Sequence, residues 1–424
     1  MHTSSLVGHT TEVFAKFRKN PLVPADAVIR AFFHDRRYLG ARDRRFIADH
    51  FFGAVKHWLR LDALVRDCFE DKELTASKSV AAYLIAIDGH PAQEVVDFFD
   101  ALKDGEKLSL PDAEALADRA RENTRLAALT DDERLATLHS FPTWFVTRLR
   151  AEYGNDTEPI LTALNGSSPL WLRTNTLITD RESLISEMEE EGIPSERSDI
   201  ASEALKLEKR VNVFGLKSFT RGAFEVQDEA SQLVVPMAHI RKTAIKALDA
   251  CAGAGGKTLH LAALMKNHGE IFAADIDPYK LEELKRRSRR AGAQNIRLVF
   301  PDDREKWLGP EKLGWFDLVL VDAPCTGTGT LRRNPGIKWL LTEQMLSELV
   351  AKQRSILDDH AAFVKLGGAL VFATCSVLQE EGEQQMEWFT QQHPEFQIEE
   401  VLRTRPDTQN MDGFFAARLR KNPV

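Results

Sequence analysis

Two short stretches place a thiol beside residues that could use it. Asp322-Ala323-Pro324-Cys325 closes one apolar run and Thr374-Cys375-Ser376 closes another. A thiolate is a strong nucleophile towards electron-poor ring carbons, and carbon 5 of a cytosine becomes nucleophilic only after such an addition at carbon 6. Asp322 stands where an acid could hydrogen-bond N3 or the exocyclic amine and spread the charge that addition creates. A strand-end loop near a helix N-terminus supplies the partial positive charge a reactive thiol needs. Spacing alone leaves open whether Cys325 or Cys375 attacks. A single free cysteine is more often a small buried apolar residue, which is the reading for Cys68 and Cys251. Two cysteines at neighbouring strand ends, one behind Asp-Ala-Pro, point to chemistry instead.

A third stretch could hold a nucleoside. Leu248-Asp249-Ala250-Cys251-Ala252-Gly253-Ala254-Gly255-Gly256-Lys257-Thr258 ends an apolar run and opens a helix expected over residues 259–265. Glycines at such a turn let backbone approach a ligand, and the helix N-terminus offers free N–H groups. A phosphate-cradling loop needs glycine where Cys251 stands, and the dinucleotide fingerprint lacks its third glycine. S-adenosylmethionine fits what remains, since it needs a tight turn and no pyrophosphate pocket. Asp275, at the end of the next apolar run, is expected to accept from the ribose hydroxyls, with Asp277 and Pro278 starting the following helix. Asp302 is the expected acceptor for the adenine amine, although Asp303 beside it could equally begin a helix.

These residues must be carried by a fold. The 424 residues, 43% hydrophobic and 28% charged, suit a soluble protein of two or three domains. No apolar run approaches the roughly 20 residues of a bilayer span, so a cytoplasmic location and no membrane partner are expected. Four cysteines without a CxxC pair indicate neither a disulfide scaffold nor a metal site. A net charge of −8 means that any nucleic acid must be met by local basic patches: Arg36, Arg37, Arg42, Arg44 and Arg45; Lys285, Arg286, Arg287, Arg289 and Arg290; or Arg332 with Arg333. Taken singly, each cluster reads as a solvated helix face.

Helical spacing of Phe46, Ile47, Phe51, Val55, Trp58, Leu59 and Val65 marks an all-helical first domain, residues 1–135, whose last helix is expected over 112–134. Residues 136–235 read as a helical connector and a small α+β unit, with strands at 169–175 and 204–207 and a helix at 181–191. From 236 to 424, apolar runs at 244–250, 270–275, 296–300, 316–322 and 368–374 alternate with helices, the pattern of buried parallel strands in a Rossmann-like domain.

At these motifs the chain resembles the Sun/Nop family of RNA cytosine-5 methyltransferases, and within it the branch that carries a NusB-like helical domain and modifies 16S ribosomal RNA. The likeness is most specific from Asp322 through Cys325, Arg332, Arg333, Asn334, Pro335 and Lys338 to Trp339, and in Ala373-Thr374-Cys375-Ser376-Val377. It extends to Gln227-Asp228-Glu229-Ala230-Ser231, Trp171-Leu172-Arg173-Thr174-Asn175 and Asp412-Gly413-Phe414-Phe415, and more loosely to Asp43-Arg44-Arg45-Phe46. The resemblance implies a class I methyltransferase domain behind a NusB-like domain and a small RRM-like RNA-binding unit. It makes Cys375 the nucleophile and Cys325 the aid to product release. It assigns cofactor contacts to Cys251, Ala252, Gly253, Ala254, Gly255, Gly256, Lys257, Asp275, Asp302 and Asp322. Arg332, Arg333 and Lys338 would then meet the RNA backbone of a monomeric enzyme. Two departures stand out: Gly253-Ala254 replaces Ala-Pro in the turn, and Gly336 replaces an acid. Transfer RNA as substrate, a non-catalytic assembly factor and an exocyclic-amine methyltransferase are the competing readings; the last would show Pro-Pro-aromatic after Asp322 and need no thiolate.

Overall fold

The computed structural model describes residues 1–69, 73–102, 105–122, 126, 128–209, 211–241 and 245–423. Ala244, expected to open the first strand of the large sheet, and residues 123–125 and 127 of the helix expected over 112–134 lie outside the described residues. Against expected boundaries at 135 and 235, the chain divides into two compact units, Met1–Gly166 with Leu331–Thr342, and Ser167–Thr330 with Glu343–Val424.

The first unit is helical because its apolar residues recur every three to four positions and close on one core. Phe14 and Phe17 of helix Thr3–Lys19 meet Ile47, Phe51 and Val55 of Ala41–Lys56 and Leu61 and Val65 of Trp58–Cys68, all fully buried. Phe17 and Phe51 pack edge to face at 5.9 Å. The expected helix over 112–134 is broken. Helices Leu110–Glu122 and Asp131–His139 are separate, and the second starts afresh from Thr130, which caps Glu133 N–H while the Glu133 carboxylate returns to Thr130.

Residues 331–342 return to this unit and explain two sequence features. Gly336 lies on Ala25, where a Cβ would sit 2.8 Å from that methyl group, so the acid of related sequences has no room here. Lys338, expected to meet RNA, is instead fully buried. Its ammonium donates to Lys56 O at 3.0 Å, to His139 O at 3.4 Å and to Asn165 Oδ1, and lies 3.7 Å from the centre of the Phe141 ring. Burial, with Lys56 adding to it, holds this amine well below the usual lysine range. Such a group ties chain segments together and, being fully buried, is out of reach of a phosphate.

In the second unit, a small antiparallel sheet is built from β1 (Leu170–Thr174), β2 (Ser195–Arg197), β3 (Ala204–Leu207) and β4 (Phe224–Val226), in the order β2-β3-β1-β4. Helix Arg181–Glu190 covers it with Leu184 and Met188. The large sheet contains β5 (Lys246–Asp249), β6 (Glu270–Ala274), β7 (Ile296–Val299), β8 (Phe316–Asp322), β9 (Val364–Thr374), β10 (Phe396–Thr404) and β11 (Phe414–Lys421), ordered β10-β11-β9-β8-β5-β6-β7. β5 to β9 run parallel, whereas β11 is antiparallel to both β9 and β10. β10 gave no apolar run because it is an edge strand, with exposed Gln397 and Glu399 and a bulge between Ile398 and Glu400. Among the described residues no helix is long and apolar enough to cross a membrane.

Lys338→Ala leaves three buried acceptors without their donor, so the helical unit should lose about 3 kcal/mol in urea unfolding. Lys338→Met, which refills the apolar stem, should recover part of that loss.

Candidate active site

The strand order reverses between β5 and β8, so a crevice opens at their C-terminal ends, where open α/β sheets hold ligands. The glycine turn follows β5, and its helix, Gly256–Leu264, begins three residues earlier than expected. Gly255 adopts φ of +90°, and a Cβ there would fall 2.1 Å from Leu284 Cδ1, so the turn tolerates no side chain. Asp275 secures the turn from β6. One carboxylate oxygen accepts from Gly253 N at 2.8 Å and the other from Asp277 N at 2.9 Å. Asp277 caps helix Pro278–Ala291 by accepting from Tyr279 N at 2.9 Å. The Gly253-Ala254 departure is steadied by Arg287, which donates to Ala254 O at 2.8 Å.

Beside the turn lies a cavity of about 630 Å³, lined by Gly253, Asp275, Ile276, Phe300 and Asp322 among others. That volume suits a nucleoside-sized ligand, with a carboxylate at one end and apolar walls between. Helix Glu343–Ala361 adds Lys352 and Asp359, which sequence reasoning missed because a charged helix position looks the same over a cavity as over solvent. Asp302 does not line the cavity. It is exposed, and its neighbours Pro301 and Arg304 face the space instead.

Lys257 pairs with the acid that closes β8. Its ammonium reaches from the first turn of the helix to Asp322 Oδ2 at 2.6 Å, with the Phe414 ring 5.3 Å away. The lysine side chain is 8% exposed and the Asp322 side chain 32%, so the carboxylate is the open end of the pair. Beneath them Asp249 is buried and accepts from the Thr258 hydroxyl at 2.7 Å. Burial raises its carboxyl to about 7.

Cys325 and Cys375 come together, both half-buried, with their sulfurs 3.3 Å apart. Strand pairing does this. β8 and β9 are parallel neighbours with Asp322 opposite Ala373, and Ala323 N donates to Ala373 O at 2.9 Å, so both loops leave the same edge. Glu381, which no motif marked, then fixes the loops to one another. Its buried carboxylate accepts from Thr326 N at 2.8 Å, from the Thr326 hydroxyl and from Gln353 Nε2 at 3.0 Å, while its own carbonyl accepts from the Thr374 hydroxyl at 2.8 Å. Gly329 N reaches Cys375 O at 3.0 Å, and a Cβ on Gly329 would overlap Gly413 O. The contact with Cys375, then burial, holds the Cys325 thiol well above its usual range.

The remaining expected residues divide. Arg287 and Arg290 turn inward to buried Glu225, joining the small sheet to helix Pro278–Ala291. Arg173 does similar work, donating to Gln227 and to Gly256 O at 2.7 Å, and Asn175 donates to Gly222 O and Ala291 O, both at 2.8 Å. Arg332 is buried and Arg333 exposed. Cys68 and Cys251 are thiols raised by burial, and Cys251 also lines the cavity.

Comparison with known proteins follows the same lines. Residues 240–420 match a family described as 16S rRNA methyltransferase RsmB/F, and residues 141–214 match the ferredoxin-like domain of RsmF/B-like methyltransferases. A ribosomal RNA small subunit methyltransferase B from Yersinia pseudotuberculosis is 37% identical over 290 residues, which cover 66% of this chain and 66% of that one. The protein of the same name from Proteus mirabilis is 30% identical over 399 residues, 91% of this chain and 92% of its own. Among solved structures, that of PH0851 superposes with a TM-score of 0.77 at 27% identity, covering 99% of both chains.

Asp249 yields a pH test. Its folded value near 7 lies above the ordinary 3.8, so its stabilising contribution is complete below pH 3.8 and is lost as the pH rises through 7. Asp249→Asn should flatten that slope by a few kcal/mol, read from urea midpoints between pH 4 and 8 (about the range where the group titrates).

Proposed function

The chain belongs to the family of 16S rRNA methyltransferases of the RsmB/F type, and from that premise we propose that it methylates carbon 5 of a cytosine in 16S ribosomal RNA through a transient sulfur–carbon bond. The observation that carries this reading is the pair of sulfurs 3.3 Å apart beside the Lys257–Asp322 ion pair. S-adenosylmethionine supplies an electrophilic methyl group when bound. The cavity beside the glycine turn suits it: Asp275 would take the ribose hydroxyls, Ile276 and Phe300 would flank the adenine, and Gly253 leaves room for the remainder.

The target base would meet Asp322 and Lys257 at its Watson–Crick edge. Cytosine shows an amine donor and two acceptors there, which an acceptor–donor pair complements and which uracil reverses. Cys375 then gives an electron pair to C6, forming the S–C6 bond and making C5 nucleophilic. Once C5 has taken the methyl group, its hydrogen must leave as a proton. Cys325 stands next to the Cys375 sulfur and takes it as a thiolate: the contact that raises its proton affinity weakens once that sulfur is alkylated and neutral, so Cys325 first releases its own proton to solvent and then accepts the one from C5. Loss of the C5 proton returns electrons to the ring, breaks S–C6 and frees Cys375.

Cys375→Ala should abolish transfer of a radiolabelled methyl group to unmethylated 16S RNA. Cys325→Ala should instead accumulate a protein–RNA adduct that survives a denaturing gel. Reversed behaviour of the two variants would exchange their roles, and activity in the double variant would remove covalent catalysis altogether. Bisulfite sequencing of RNA from cells with and without the gene distinguishes 16S from transfer RNA as the substrate.

A further inference from the structure

The helical unit holds a second cluster of ligating side chains, on residues that the methyl-transfer chemistry does not use. His50 projects from helix Ala41–Lys56, while Asp88 and His90 lie in the loop between helices Ala76–Ala86 and Ala92–Asp100. His50 Nε2 is 3.2 Å from Asp88 Oδ2, and His90 Nε2 is 3.1 Å from the same oxygen. The three ligand atoms all lie within 4.8 Å of one another.

The outer nitrogens of the two rings decide what these inner atoms are. His50 Nδ1 lies 2.7 Å from Phe46 O, which can only accept, so Nδ1 carries the hydrogen. His90 Nδ1 lies 3.0 Å from a Glu94 carboxylate oxygen, and the same reasoning applies. In a neutral ring each Nε2 is therefore a lone pair, and two lone pairs converge on a carboxylate oxygen that is itself an acceptor. Three acceptors with no donor between them lack a cation. The two nitrogen–oxygen spacings also fit one, because ligands about 2.0–2.1 Å from a tetrahedral ion stand about 3.3 Å apart. Imidazoles whose second nitrogen is held by a carbonyl or carboxylate are the usual metal-binding arrangement.

The cluster is also held in place. Asp88 N donates to Tyr83 O at 3.0 Å and His90 N to Leu84 O at 2.9 Å, with Gly89 between them at φ of +82°. The Phe46 ring stacks on His50 at 3.8 Å. Asp88, with its side chain 35% exposed, leaves an approach for the ion and a water in the fourth position.

We propose that His50, Asp88 and His90 form a binding site for a divalent transition-metal ion of the zinc class, which pins helix Ala41–Lys56 to the loop before helix Ala92–Asp100. Two imidazoles and one carboxylate suit zinc or cobalt and fall short of the all-oxygen sets that calcium and magnesium require. Cysteine spacing gave no hint of it, since the ligands are histidines brought together from separate helices.

The probe is Co2+, followed by Zn2+, added to full-length Cys325→Ser/Cys375→Ser protein stripped with EDTA, so that the paired thiols cannot act as ligands. One Co2+ per chain should bind with visible d–d absorption that Zn2+ displaces. His50→Ala and His90→Ala should each abolish the band, and Glu94→Gln should weaken binding about tenfold by releasing the His90 ring. Asp88→Asn, on a partly exposed side chain, checks the third ligand with little risk to folding, and far-ultraviolet circular dichroism verifies the fold of every variant. Absence of the band in the parent protein, or its survival in the His50→Ala/His90→Ala protein, overturns the site and leaves two protonated histidines around Asp88 as the reading.

Discussion

The site depends on the parallel pairing of β8 with β9. Neighbouring strands stand about 4.8 Å apart, and parallel ones deliver their C-terminal loops to the same edge of the sheet. An antiparallel pair would have sent one cysteine to the far side of the domain. Because the sulfurs touch, the Cys375 sulfur raises the proton affinity of the Cys325 thiol. Glu381 keeps that contact in place by holding both loops with one carboxylate, and burial pushes its carboxyl up although four donors oppose the shift. A buried carboxylate is tolerated only where such donors surround it.

The Lys257–Asp322 pair joins this sulfur pair to the glycine turn. Lys257 starts on the helix that follows the turn and ends on the last residue of β8, so one ion pair spans from the glycine turn to the end of β8. The turn itself is fixed from three directions, by Asp275 from β6, Arg287 from the next helix and Arg173 from the small sheet. Much of the positive charge that a nucleic-acid reading would assign to the surface is therefore used internally. Arg287 and Arg290 neutralise Glu225, and Lys338 is enclosed among carbonyls. In a chain of net charge −8, Arg37 and Arg42 remain among the exposed arginines of the helical unit.

Local pattern made much of this architecture legible. Apolar runs marked β5 to β9 because strands buried on both faces need apolar residues throughout, and helical spacing marked the first unit because one stripe of each helix enters the core. Where the pattern was weak, the reading failed for identifiable reasons. β10 is a polar edge, β2 and β4 are three residues long, and the break before Asp131 is signalled only by the Thr130–Glu133 capping box.

The sequence by itself determined which chemistry was available: two thiols, an acid after β8, a glycine turn and an acid after β6, each set by residue type and a short spacing. Only the tertiary structure decided how these were shared out. It paired Lys257 with Asp322, buried Lys338, left Asp302 outside the cavity and brought Glu381 between the cysteine loops. The reason is physical. A residue's type fixes what it can donate or accept, but its partner and its access to water depend on segments far apart in the chain, and no local pattern encodes those distances.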